Sequence, residues 1–224
     1  MEKKLAIKLR KFGRICPITG YKEEAIKVGA SVVVETDRGV EFGQILSFPK
    51  GFPKNVSGDV RLKKVLRYAT DEDLRIAETL DSMEDEATTF AMSKVKEHEL
   101  PIKIINSEYI FDLKRVIFYY KLEDKKKKAP NLKEFARDVA SKLKARADMK
   151  EINPRDEARI FGGLGPCGRN LCCASWLGKP KHVTVKMVKS LGLSISPTKT
   201  SGVCGRLMCC FSYEDKKDSE KKDK

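Results

Sequence analysis

The chain opens on apolar positions that recur every second residue, Leu5, Ile7 and Leu9, and this period predicts a strand with one buried face. Two further runs, Ser31–Thr36 and Val40–Ser47, flank Asp37-Arg38-Gly39, where glycine can supply the positive φ of a tight connection. Val60, Leu62 and Val65–Leu66 predict another strand after the proline- and glycine-rich stretch 49–58. Short strands at this spacing point to a small barrel or curled sheet. From Thr70 the period changes. Thr70 and Asp73 carry the signature of a capping box, and Leu74, Ala77, Leu80, Met83, Ala87, Phe90, Ala91 and Val95 follow at helical spacing. The acids Glu84, Asp85 and Glu86 are expected on the surface of this helix.

Pro101 ends the helix and begins a strand over 102–106, and Val116–Leu122 is a stronger β run preceded by Asp112, so the two predict a hairpin. Asn131 with Glu134 predicts the cap of a second helix, whose apolar face is Leu132, Phe135, Ala136, Val139, Ala140 and Leu143. A strand around Met149–Ile152 closes an α-β-β-α-β unit, helices packed on a sheet. Beyond it Gly162, Gly163, Gly165 and Gly168 break the pattern, 184–191 predicts a short helix ending before Gly192, and Ser196–Lys199 reads as a turn. The expected fold class is therefore α+β. A β-rich N-terminal part covers 1–66, the α-β-β-α-β middle unit 67–157, and a cysteine-rich segment 158–213. The charged tail 214–224 is expected to be disordered.

Composition restricts what these elements can do. At 224 residues and 41% apolar content the chain can bury a core without disulfide staples, and no apolar run reaches membrane-spanning length, so no membrane insertion is expected. Lys8 and Arg10 interrupt the apolar start too early for an export signal. With seven cysteines, an odd number, the expected location is a reducing cytoplasm, where paired cysteine motifs bind metal or do redox work more often than they form bridges. The net charge of +14 is uneven. From Ala158 to Tyr213 there is no acidic residue, while Arg159, Arg169, Lys179, Lys181, Lys186, Lys189, Lys199 and Arg206 are basic. Such a segment can stabilise clustered thiolates, attract a phosphate backbone, or simply be a basic surface.

Six of the seven cysteines lie in two copies of one block. GPCGRNLCC at 165–173 and GVCGRLMCC at 202–210 place Cys167, Cys172 and Cys173 in register with Cys204, Cys209 and Cys210, displaced by 37 residues. Soft-metal or cluster ligation, redox chemistry and disulfide bracing are the available uses of such a cluster. One zinc ion needs four of these sulfurs, and the C-x4-C-C spacing is not the C-x2-C knuckle of zinc ribbons. All-sulfur ligation without carboxylates suits an iron–sulfur cluster, and each adjacent pair can serve two different acceptors. A thioredoxin-like mechanism lacks its C-x-x-C. A nucleophilic cysteine would need a base, and the only histidines, His98 and His182, are read as surface residues. Trp176 and Phe211 are expected to shield the site, Cys16 to pack in a core, and Lys125–Lys128 to be a solvated loop. The chain is expected not to be an enzyme, because the basic segment has no carboxylates for the hard cations of a metal-dependent nuclease.

Arg155-Asp156-Glu157-Ala158, Phe161–Arg169, Leu171-Cys172-Cys173, Ser196–Lys199 and Ser201–Cys210 together resemble the YaaT (RicT) sporulation-protein family and the broader polymerase-suppressor-type C-terminal domain family. The resemblance extends over nearly the whole chain except the tail. It implies a non-enzymatic cytoplasmic subunit that joins small helical RicA- and RicF-like partners in a complex carrying iron–sulfur clusters. It further implies that the complex is a specificity factor for an RNase Y-type endoribonuclease, and so influences mRNA maturation, sporulation, competence and biofilm formation. The ligand role then falls on Cys167, Cys172, Cys173, Cys204, Cys209 and Cys210, with 4Fe–4S the expected cofactor. Zinc in a single-stranded nucleic-acid-binding protein is the alternative. Arg169 and Arg206 are assigned to support of the site, and Lys179, Lys181, Lys186 and Lys199 to a partner or to direct RNA contact.

Overall fold

The computed structural model describes residues 4–12, 15–17, 27–48, 62–123, 130–175, 177 and 182–214. These form two compact units, one reaching to Asn153 and one from Pro154 onward. Lys125–Lys128, Trp176, Lys179, Lys181 and the tail from Asp215 lie outside the described residues.

The first unit begins with a five-stranded sheet. Strands β1 (Lys4–Leu9), β2 (Ile15–Pro17), β3 (Ser31–Thr36), β4 (Val40–Phe48) and β5 (Leu62–Tyr68) lie in the order β2-β1-β4-β3-β5, with every pair antiparallel. Ile7, Leu9, Cys16, Val32, Val34 and Ile45 form its core, so Cys16 is the packed thiol expected of it. The turn between β3 and β4 closes at Gly39, φ +140°, with the Thr36 amide donating to the Gly39 carbonyl at 2.8 Å. Gly43 of β4 has a steric role. A methyl there would stand 2.5 Å from Cγ2 of Ile7 and 2.9 Å from the Lys8 carbonyl. Gly43→Ala is therefore expected to destabilise the sheet by about 1–3 kcal/mol, the usual cost of overpacking, measured by thermal or urea unfolding.

Helix α1 (Asp71–Glu97) starts at the expected capping box: Thr70 accepts from the Asp73 amide, and Asp73 accepts from the Thr70 amide. Strands β6 (Ile102–Tyr109) and β7 (Arg115–Leu122) form the hairpin, β6 running three residues beyond its expected end. Helix α2 (Lys133–Leu143) carries the chain back to β8 (Arg146–Glu151), which pairs parallel to β7 as a crossover helix allows. The apolar faces of both helices meet this sheet around Leu80, Ala87, Ile104, Phe118, Phe135 and Val139.

Four expectations change. β5 runs through the proposed 66/67 boundary, and both regions fall within one unit, since long-range pairing rather than composition decides compactness. Glu84 is not on the surface but 1% exposed, because it falls on the same helical stripe as Leu80, Ala87 and Ala91. Its carboxylate accepts from the Tyr109 amide at 2.8 Å and pairs with Arg10 and Lys11. The second helix is capped at Leu132 without a side-chain bond; Asn131 instead accepts from the Lys133 amide at 3.2 Å, a local turn that competes with the cap. His98 ends α1 as expected but bridges to Asp138 at 2.9 Å and meets Phe135 edge-on.

A buried ion network joins the two sheets of this unit. Arg38 forks onto both carboxylate oxygens of Glu41, at 2.9 and 2.8 Å, and onto both of Glu108, at 2.9 Å each. Tyr119 donates to Glu108, Thr36 donates to Glu41 at 2.8 Å, and Arg115 donates to the Arg38 carbonyl at 2.9 Å. Among the described residues no helix is long and apolar enough to cross a membrane.

Candidate metal centre

The second unit starts with α3 (Pro154–Phe161), a helix absent from the expected elements. Its leading proline has the φ a first helical turn needs and lacks the N–H that such a turn leaves idle. The two cysteine blocks then fold alike, bond by bond. In the first, the Gly165 amide donates to the Arg169 carbonyl at 2.8 Å and the Gly168 amide to the Gly165 carbonyl at 2.9 Å. In the second, Gly202 donates to Arg206 at 2.8 Å and Gly205 to Gly202 at 2.9 Å. The isolated bridges Leu164–Asn170 and Ser201–Leu207 repeat at the same displacement of 37.

This bonding is that of a three-residue hairpin: a β-turn followed by a left-handed residue, with Gly168 at φ +75° and Gly205 at φ +71°. The glycine after the first cysteine of each block is thus dictated by the turn, and Cys167 and Cys204 sit at its corner. After each hairpin the chain enters a helical turn at the adjacent cysteines, with the Ala174 amide donating to Leu171 and the Phe211 amide to Met208. In the second copy this turn continues as α6 (Cys210–Glu214), which sequence reasoning did not separate from the motif. Between the copies lie α4 (Val185–Ser190), capped by Thr184 and followed by Gly192 at φ +72°, and α5 (Pro197–Thr200), a helical turn where a plain turn was expected. Val183, Val188 and Phe211 form a small apolar core, against which the half-buried Cys210 packs.

All six repeated cysteines line one cavity of about 60 Å³, together with residues such as Ala158, Leu171, Val203 and Met208. Among the described residues no carboxylate or imidazole lines it. Cys167 is exposed, Cys173 is buried, and the other four are half-buried. Cys16 belongs to the core of the first unit. Among the described residues no three His, Cys, Asp or Glu side chains are gathered closely enough to hold a metal ion. The six thiols therefore share a cavity without being drawn onto one centre. The donor set itself is wholly soft, which fits zinc or an iron–sulfur cluster and not a hard cation.

Desolvation dominates the electrostatics. Burial raises the Cys209 thiol to about 11, with Cys173, Cys204 and Cys172 adding to the shift and Arg155 opposing it. Burial likewise raises Cys172, helped by Cys167, and Cys173, helped by Cys204. Cys210 rises by burial and by its neighbours Cys172, Glu214 and Cys167. These couplings cross between the blocks, so the copies face each other.

The expected supporting cations divide. Arg169 is exposed and acts on Cys172. Arg206 is exposed, and its carbonyl closes the second hairpin. Lys186 and Lys199 are exposed on α4 and α5, and His182 is exposed ahead of them. Sequence reasoning missed Arg155 and Arg159 of α3, which act on Cys173, with Arg155 also acting on Cys209. Their four-residue spacing just before the first block was the available signal.

Two comparisons with known proteins match the chain. The family described as PSP1 C-terminal conserved region matches residues 63–152, on the middle unit upstream of the cysteine blocks. The PSP1-like protein, third domain, matches 182–224 and so takes in the second block. The stage 0 sporulation protein YaaT of Bacillus subtilis (strain 168) is 42% identical over 191 residues, covering 84% of this chain and 67% of that protein. No solved structure matches.

Proposed function

Because the chain belongs to the PSP1 family as a YaaT homologue, we propose that it is a non-enzymatic, cytosolic subunit that holds an iron–sulfur cluster. The cluster is of 4Fe–4S type, and its protein ligands come from Cys167, Cys172, Cys173, Cys204, Cys209 and Cys210. The subunit assembles with small helical RicA- and RicF-like proteins, and the complex directs an RNase Y-type endoribonuclease in mRNA maturation, with effects on sporulation, competence and biofilm formation. The observation that carries the site is that six thiols from two copies of one turn line a single cavity with no carboxylate among its described lining residues. When bound, a cluster supplies one-electron redox chemistry and a brace between the copies.

Protein purified without oxygen, alone and with the two partners, is expected to be brown and to contain iron and acid-labile sulfide. Replacing Cys209 with serine is expected to cut the iron content at least severalfold. Colourless protein with one zinc per chain would overturn the cluster reading and favour the zinc-stabilised alternative. That alternative draws on the exposed Lys186, Lys189 and Lys199 in a stretch without acids, and it would show as RNA binding that weakens steeply with salt.

A further inference from the structure

Helix α3 carries Arg155 and Arg159, four residues apart, a spacing that places them on one helix face. Both are half-buried, and the Nε of Arg155 and the Nε and Nη2 of Arg159 are shut off from solvent. Nη2 of Arg155 donates to the Leu207 carbonyl at 3.2 Å. Leu207 is bridged to Ser201 at the base of the hairpin that carries Cys204, so this bond fastens the second block to a helix that precedes the first. Ala158, on the same helix between the two arginines, and Leu207, which Arg155 holds, both line the cavity shared by the six thiols.

A planar guanidinium can hold a carbonyl along one edge and keep its charge toward a second group, which a lysine ammonium cannot do with the same geometry. Thiolates drawn together on a soft metal concentrate negative charge, and a cation sheltered from water offsets that charge better than one on the surface. The exposed lysines of α4 and α5 lack that shelter.

Resting on the soft-metal reading above, we propose that Arg155 and Arg159 are positioning residues of the centre. Arg155 sets the second block against the first through the Leu207 carbonyl, and both arginines hold a sheltered positive charge on the helix that lines the thiol cavity. Neither touches the metal. Their effect passes through the ligands.

The test uses the full chain, loaded with Co(II) as a soft-metal probe and, separately, with iron and sulfide under anaerobic conditions. Arg155→Gln and Arg159→Gln are each expected to weaken Co(II) retention against a chelator by about 10-fold or more, as removal of groups that orient metal ligands does. Lys189→Gln, which removes an exposed charge on α4, is expected to change it less than about twofold by the same comparison. In iron-loaded protein, Arg159→Gln is expected to lower the reduction potential of the centre that remains, and Arg159→Lys to restore it. A purely structural role would leave that potential unmoved. Should Arg155→Gln not fold, Arg159→Gln carries the test alone. Glutamine variants that hold Co(II) as wild type does, or a Lys189→Gln loss as large as theirs, would overturn the assignment. Wild-type protein that binds neither probe would instead bring down the soft-metal reading and this inference with it.

Discussion

Arg38→Ala is expected to cost about 3–5 kcal/mol of folding stability, the usual penalty for removing one partner of a buried ion pair. The side chain of Arg38 is 14% exposed, and those of Glu41 and Glu108 are 7% and 4% exposed. Burial works against the arginine charge, but the hydrogen bonds to Glu108 and then Glu41 outweigh it and raise the Arg38 pKa. Removing the guanidinium strands two carboxylates away from water, together with the hydroxyls of Thr36 and Tyr119 that donate to them. Urea unfolding of the single variant measures the loss. Arg38→Met combined with Glu41→Gln and Glu108→Gln should recover much of it, since replacing a whole buried network is far milder than breaking it. A single variant within 1 kcal/mol of wild type, on the scale of exposed ion pairs, would show that the network contributes little.

In reduced, metal-free protein, Cys209 is expected to alkylate about 100-fold more slowly at pH 7 than an ordinary thiol, because thiolate is the reacting form. The ordinary value of 9.0 is raised to about 11 here, first by burial and then by the neighbouring thiols, so thiolate becomes scarcer by that ratio. The sign of the stability effect follows. A thiol whose folded pKa is raised favours the folded state while it stays protonated. That contribution is complete below pH 9 and is lost as pH rises toward 11. Metal loading requires the opposite state, so binding should release protons and strengthen with pH across the neutral range. Mass-spectrometric labelling rates for each cysteine, followed against pH, check this. Labelling of Cys209 at pH 7 as fast as a free thiol would contradict the burial seen at this position.

Much of the fold could be read from local periodicity. Alternation placed β1, the turn at Asp37-Arg38-Gly39 placed β3 and β4 on either side of it, and the Thr70–Asp73 box placed the start of α1, because each depends on residues close in sequence. The 37-residue duplication was visible for the same reason, and each copy is indeed a self-contained turn. What escaped depends on partners far along the chain. Glu84 reads as a solvated acid until Arg10 and Lys11, more than seventy residues earlier, are packed against it. The contribution of Arg155 is equally hidden, since it acts through a carbonyl 52 residues downstream. Asn131 misled for a subtler reason: it sits one position before the N-cap Leu132, and its side chain accepts from the amide of Lys133, the first helical residue.

The modest apolar core of the cysteine unit has a consequence for the life of the protein in a cell. Among the described residues of this unit, Val183, Val188 and Phe211, with Leu171, Cys173 and a few half-buried neighbours, are little burial to set against the chain entropy of the segment. Whatever binds the folded form alone then holds a large share of the balance, and that share grows with the logarithm of free ligand over its dissociation constant. Starved of ligand, the unit would spend more time open to proteases; well supplied, it would persist. The amount of intact protein would then follow the supply of any such ligand, with turnover, rather than synthesis, keeping the record.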